Sequence, residues 1–239
     1  MANRVRELIE SGRVAIGAHA KVPATATVEI AAAAGLDFVR FDPYHWPYDH
    51  ETLAAMTRAA VAKGITPWVR CSVDADTIRQ MLELGIRGFT FPCVSTRAQA
   101  ESIVAAVDQF VSASGVERRE ILVGCAIENK SGLESFEAIL GLDGVDIMST
   151  GPSDLAFALG ETDNTKPIVQ EAYARILETA IAANKHVYLS TRASRNEWGK
   201  ARQWIAKGAR VLIIEEEYRV LMKTLTNPHT WTPCEGITQ

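Results

Sequence analysis

No two cysteines of this chain stand in C-x-x-C spacing, and there are only four in 239 residues. Cys71, Cys93, Cys125 and Cys234 are too scattered for a structural zinc site or a disulfide framework. The first three fall in or beside apolar runs, where cysteine usually acts as a small hydrophobe. A reducing, cytoplasmic compartment is therefore expected. Runs of Lys or Arg are also absent. With 25 basic against 29 acidic residues the net charge is −4, which argues against a nucleic-acid partner or an anionic membrane surface. No apolar run reaches the ~20 residues needed to cross a bilayer. The opening MANRVRELIESGR has no continuous apolar core and reads as a short amphipathic helix, not a signal peptide. The Gly-rich dinucleotide fingerprint is missing as well, since the first strand–helix turn reads Gly17-Ala18-His19-Ala20. There is no low-complexity segment and no interior linker.

What is present is alternation. Short, continuous, β-branched runs are expected as strands at Val14–Ala18, Phe38–Phe41, Thr66–Val69, Gly88–Val94, Ile121–Ile127, Val145–Ser149, His186–Ser190 and Val211–Ile214. Helical patterns lie between them, at Thr25–Ala34, His50–Ala62, Asp74–Leu84, Arg97–Ser112, Pro167–Ala183, Ser194–Lys207 and Glu215–Leu225, with another opening at Gly151. Strands without polar alternation are buried on both faces, as in a parallel sheet. Eight strand–helix units in one chain predict a single (β/α)8 TIM barrel over residues 1–239, with an open doubly wound sheet as the second choice. Residues 226–239 are expected to form a tail or an arm that reaches a neighbouring subunit.

In such a fold ligands bind at the carboxyl-terminal ends of the strands. Glu128 ends the fifth strand, and Asp154 follows the sixth in Gly151-Pro152-Ser153-Asp154. Two carboxylates converging there suit a hard divalent cation, with water and substrate completing its shell. The residues alone leave open that Asp154 caps a helix and that Glu128 pairs with a base. Gly151 permits a tight turn and Pro152 suits a first helical position, so this turn offers either an anion pocket or an ordinary cap. Arg70 ends the third strand and needs a partner, either a bound anion or an acid such as Asp42. His45 sits among prolines and aromatics in Asp42-Pro43-Tyr44-His45-Trp46-Pro47, a suitable place for a general base, with His19 in reserve. The sixth strand holds no lysine, and Lys130 looks solvent-facing, so imine chemistry is disfavoured relative to metal-assisted chemistry.

Taken together, these segments resemble the HpcH/HpaI aldolase family, the metal-dependent class II pyruvate aldolases. They are Phe38-Val39-Arg40-Phe41-Asp42 with His45, Pro67-Trp68-Val69-Arg70, Ile127-Glu128, and Gly151-Pro152-Ser153-Asp154-Leu155 with Gly160. The resemblance runs through nearly the whole chain in order. It implies a barrel of the phosphoenolpyruvate/pyruvate type, assembled as a hexamer or trimer of dimers. It implies reversible cleavage of a 4-hydroxy-2-oxo acid to pyruvate and an aldehyde through an enolate, with Mg2+, Mn2+ or Co2+. Carried over residue by residue, Glu128 and Asp154 are the metal ligands. Arg70 steadies the enolate, His45 is the base acting through water, and Gly151, Pro152, Ser153 and Asp154 bind substrate. Glu83, in Met81-Leu82-Glu83-Leu84-Gly85, falls where the family has an Asp that makes that His more basic. The chain departs from the pattern at Tyr44, where a Glu is usual, at Ala126, where many members have a Gln, and in a short segment before Ile121. A citrate-synthase-like or acyl-CoA lyase relative, or a non-catalytic oxo-acid-binding paralogue, is the alternative expectation.

Overall fold

The computed structural model describes residues 3–191 and 195–226. Eight strands form one closed, all-parallel barrel: β1 Ala15–Ala20, β2 Phe38–Phe41, β3 Thr66–Arg70, β4 Gly88–Phe91, β5 Leu122–Ala126, β6 Ile147–Ser149, β7 His186–Ser190 and β8 Val211–Glu216. Strands pair in sequence order, and β8 returns to β1. Outside lie α2 Thr25–Ala33, α3 His50–Ala62, α4 Ala75–Leu84, α5 Arg97–Ser114, α6 Lys130–Glu134, α7 Phe136–Leu140, α8 Pro152–Ala158, α9 Pro167–Ala182, α10 Arg195–Lys207 and α11 Glu217–Thr226, preceded in the chain by α1 Arg4–Glu10. Among the described residues no helix is long and apolar enough to cross a membrane.

The expected (β/α)8 barrel is thus the fold, with strand ends that differ by a few residues. The fourth strand stops at Phe91 rather than Val94, because Pro92 has no N–H to give and Cys93 adopts a left-handed φ of 53°. The sixth begins at Ile147 rather than Val145. At Asp146 the side chain accepts from the Val123 N–H at 2.9 Å and from Arg6 at 2.8 Å. The C-terminal arm lies outside the described residues beyond Thr226, as does the expected helix start at Ser194.

Two cores result. The larger packs the helices onto the outside of the barrel. The smaller fills its interior with Phe38, Trp68, Leu122, Ile147, Tyr188, Val211 and Ile213. Trp68 is its centre: fully buried, 5.4 Å from the Phe38 ring, with its indole N–H donating to Thr90 Oγ1 at 2.8 Å. Gly88 makes room for that ring, since a Cβ there would lie 2.3 Å from it.

Helix α1 plugs the amino-terminal end. Val5, Leu8 and Ile9 join the interior core. Asn3 caps α1 and donates to the carbonyls of Arg87 and Glu120 at 3.0 and 2.9 Å, just before β4 and β5. Arg4 reaches Asp37 and Arg6 reaches Asp146, each at 2.8 Å. Asp37 also accepts from the Ile16 N–H at 3.0 Å, which ties plug, β1 and β2 together. Asp37→Ala should lower the thermal midpoint and expose residues 3–10 to proteolysis, because a buried carboxylate pairing two donors contributes about 1–3 kcal/mol. Unchanged melting in that variant would show that apolar packing alone seats the plug.

Candidate active site

The strands deliver their polar ends to one mouth. Burial of strand β5 on both faces fixes Glu128 just beyond it, with a side chain only 9% exposed. Arg70, at the end of β3, approaches it with Nη2 at 3.5 Å from Oε2. The Cys93 N–H donates to the same oxygen at 3.2 Å, and the thiol lies 3.7 Å from it. Arg70 therefore pairs with Glu128 rather than with Asp42. It also lies over the Tyr44 ring, at 5.6 Å.

Gly151 is the N-cap of α8, Pro152 its first residue, and the Ser153 hydroxyl accepts from Asn164 at 3.0 Å. Asp154, in the first turn, is exposed and folds back over Gly151. A Cβ at Gly151 would lie 2.6 Å from Asp154 Oδ2 and would shift that carboxylate. The charges share one neighbourhood. Burial and then Glu128 push the Cys93 thiol up, Asp154 adds to this, and Arg70 opposes it.

His45 stands at the same mouth, half exposed, with Nδ1 3.3 Å from both carboxylate oxygens of buried Asp42. Donation of Nδ1–H to Asp42 leaves Nε2 as the basic nitrogen. Its loop is anchored from the end of β8 and the start of α11: Trp46 packs on Tyr218 at 5.6 Å, and Lys21, ion-paired to Glu216, lies 5.1 Å over the Trp46 ring.

Glu83 is not part of this gathering within one chain. Helix α4 starts just past Arg70 and runs back down the barrel, and Glu83 lies eight residues along it, ~12 Å toward the plugged end. It is half exposed, pairs with Arg79 at 2.8 Å, and borders a groove between α4 and α5 with Ala106, Gln109 and Phe110. Asp42, considered from sequence only as a partner for Arg70, holds the imidazole instead. The signal was present in the i, i+3 spacing of Asp42 and His45, which one turn suffices to join.

The donor chemistry fits a hard divalent metal. Glu128 and Asp154 offer only oxygen, and the missing Cβ at Gly151 leaves room for the Asp154 carboxylate. Among the described residues no three His, Cys, Asp or Glu side chains converge, and Glu128 and Asp154 are the residues that would hold an ion. Water and substrate oxygens would complete the shell.

A closed parallel barrel with acids, guanidinium and imidazole at its carboxyl-terminal mouth has the architecture of a (β/α)8 enzyme. The model of the HpcH/HpaI aldolase/citrate lyase family matches residues 17–213, and the chain belongs to that family. It is 32% identical over 206 residues to a hydroxypyruvate/pyruvate aldolase of Rhizorhabdus wittichii, covering 77% of this chain and 82% of that protein. It is 28% identical to a 5-keto-4-deoxy-D-glucarate aldolase of Shigella boydii, covering 77% and 79%. Among solved structures, the citrate synthase SbnG superposes with a TM-score of 0.82 at 27% identity, covering 94% of this chain and 97% of that one. An HpcH/HpaI aldolase from Desulfitobacterium hafniense superposes at 0.83 and 23% identity, covering all of both chains, a likeness of fold. The protein is an aldolase, a carbon–carbon lyase of a class that generally depends on a divalent metal.

Proposed function

We propose that the substrate is a 4-hydroxy-2-oxo acid, cleaved reversibly to pyruvate and an aldehyde. The observation that carries this reading is the pairing of Arg70 with Glu128 at the strand ends, with Asp154 acting on the same Cys93 thiol and His45 held by Asp42 at the same mouth. Glu128 and Asp154 would hold Mg2+, Mn2+ or Co2+. The metal supplies a Lewis acid that draws electron density toward the 2-oxo group. His45 Nε2 takes the proton of the 4-hydroxyl, directly or through a water, while Asp42 steadies the imidazolium that forms. The O–H pair becomes the aldehyde C=O as the C3–C4 bond breaks. The electron pair of that bond passes into the enolate, where Arg70 already stands to stabilise the developing charge. Returning the proton from His45 to C3 yields pyruvate. The Gly151-Pro152-Ser153 turn borders the substrate's carboxylate in this reading.

His45→Ala is expected to lower kcat for aldol cleavage ~100-fold or more and to remove the acidic limb of the pH–rate profile. A limb that survives assigns the base elsewhere. Deuterium exchange into the pyruvate methyl group, in metal-loaded protein, separates an enolising enzyme from a mere binder. A CoA assay with oxaloacetate tests the citrate-synthase-like alternative.

We place the enzyme in the cytoplasm as a homo-oligomer, a hexamer or trimer of dimers. Apolar surface on α8 and α11 supports assembly: Phe157, Leu221, Met222 and Leu225 are all exposed. In such an assembly Glu83 acts on His45 only from a neighbouring copy. Mixed oligomers of His45→Ala and Glu83→Gln chains should then recover activity that neither variant has alone. No recovery would leave Asp42 as the sole carboxylate behind His45.

A further inference from the structure

The turn that follows β4 faces Glu128. Phe91 pairs with Cys125 across β4 and β5, and the Val94 N–H donates to the Ala126 carbonyl at 3.1 Å. Pro92 and Cys93 stand out from the ladder between these bonds. Cys93 holds a left-handed φ of 53°, an unfavourable conformation for a residue with a Cβ. In that conformation its N–H meets Glu128 Oε2 at 3.2 Å. Backbone strain of this kind persists only where the surroundings hold it.

The holder is Asn129, the residue after Glu128. Its side-chain amide donates to the Cys93 carbonyl at 3.1 Å and to the Ser95 hydroxyl at 2.8 Å. Ser95 in turn donates to that same carbonyl at 2.8 Å. At the other end of the side chain, Asn129 Oδ1 accepts from the Gly132 N–H at 2.8 Å and caps α6. A carbonyl on one side and an N–H on the other fix which end of the amide is nitrogen. Gly132 lets the two loops close on each other. A Cβ there would lie 2.5 Å from the Val94 carbonyl oxygen and 3.2 Å from Asn129 Oδ1. Ser95 is itself steadied from α5, its N–H donating to Gln99 Oε1 at 2.8 Å. Capping alone does not account for the residue, since serine or aspartate would cap α6 as well. Asparagine adds two donors, and both go to the loop that touches Glu128.

We propose that Asn129 is a positioning residue for the metal: its amide locks the left-handed turn at Cys93, whose N–H then holds the Glu128 carboxylate in the orientation that binds the ion. The inference rests on the two-carboxylate reading of the mouth. It adds a residue that acts through the backbone of a second loop. The Cys93 N–H, not its thiol, carries the effect.

The test is Mn2+ binding to the full-length protein, read from the EPR signal of the free ion. Asn129→Ser keeps a neutral cap oxygen for α6 and removes both donors. It should weaken Mn2+ binding at least ~10-fold, the usual worth of a partner behind a metal ligand, with a melting midpoint near that of the wild type. At saturating Mn2+ its pyruvate release should return to within about threefold of wild type, because affinity and not chemistry was lost. Cys93→Gly keeps the N–H and adopts the left-handed turn without strain, so it should bind Mn2+ within about threefold of wild type. Introduced into the Asn129→Ser protein, it should restore most of the lost affinity. Cys93→Val, whose branched side chain opposes the turn, serves if the serine variant fails to fold, and should weaken binding as much. Unchanged Mn2+ affinity in Asn129→Ser or in Cys93→Val overturns the role. So does an absence of rescue by glycine, or activity that stays low at saturating Mn2+. Loss of Mn2+ binding in Asp154→Ala but not in Asn129→Ser keeps the two-carboxylate reading and removes this proposal alone. A wild-type protein that binds no Mn2+ removes both.

Discussion

Asp154→Ala is expected to lower metal-dependent pyruvate release at least ~1000-fold, a loss of about 4 kcal/mol of transition-state stabilisation. The protein should otherwise be intact. Asp154 is exposed, and its carboxylate rests against Gly151. Glu128→Gln should cost as much activity, and it is the better substitution at that site than alanine. Glu128 is nearly enclosed between the Arg70 guanidinium and the Cys93 N–H. Alanine would leave the guanidinium with no acceptor and confuse misfolding with lost chemistry. The amide keeps an acceptor and the volume, and removes only the charge. The measurement is pyruvate release against metal concentration, beside a melting curve for each variant. Wild-type turnover in a well-folded Asp154→Ala protein would end the two-carboxylate assignment.

Trp68→Ala should destabilise the barrel by ~3–5 kcal/mol, the usual cost of emptying a large buried aromatic site. The ring touches Phe38 and Tyr188, and its N–H satisfies Thr90. The variant thus loses packing and leaves a buried hydroxyl with one partner fewer. Gly88→Ala attacks the same spot from the other strand, driving a methyl group into the indole. The two effects are coupled: once Trp68 is replaced by Ala, the added methyl at Gly88 should cost far less than it does alone. Denaturation midpoints of the two single variants and the double variant measure this. Strict additivity would mean that the strands part rather than the side chains compete.

Much of the fold was legible because parallel strands buried on both faces read as unbroken apolar runs. Where strand ends were missed, the cause was a local side chain or dihedral: Asp146 bonding the β5 edge with its own carboxylate, and Cys93 turning left-handed after Pro92. At the mouth, Glu128, Asp154 and Arg70 were legible as strand-end residues. Asp42 as the carboxylate on His45 was signalled only by its i, i+3 spacing, while a helix that runs back down the barrel carries Glu83 away from the mouth of its own chain. That Arg40 faces inward escaped notice for a deeper reason. When both faces of a strand are covered, alternation does not say which residues look inward, and only barrel closure points Arg40 toward Tyr188.

The seated helix α1 turns the barrel into a vessel with a single opening. Whatever enters first lies deepest, and whatever enters second covers it. If the reaction is the one proposed, its two products would leave in sequence, the aldehyde outward and the pyruvate held behind it by Glu128, Asp154 and Arg70. Traffic through this enzyme is last in, first out. In the proposed synthetic direction the same geometry would make the oxo acid the first arrival, its enolate formed before an aldehyde reaches it.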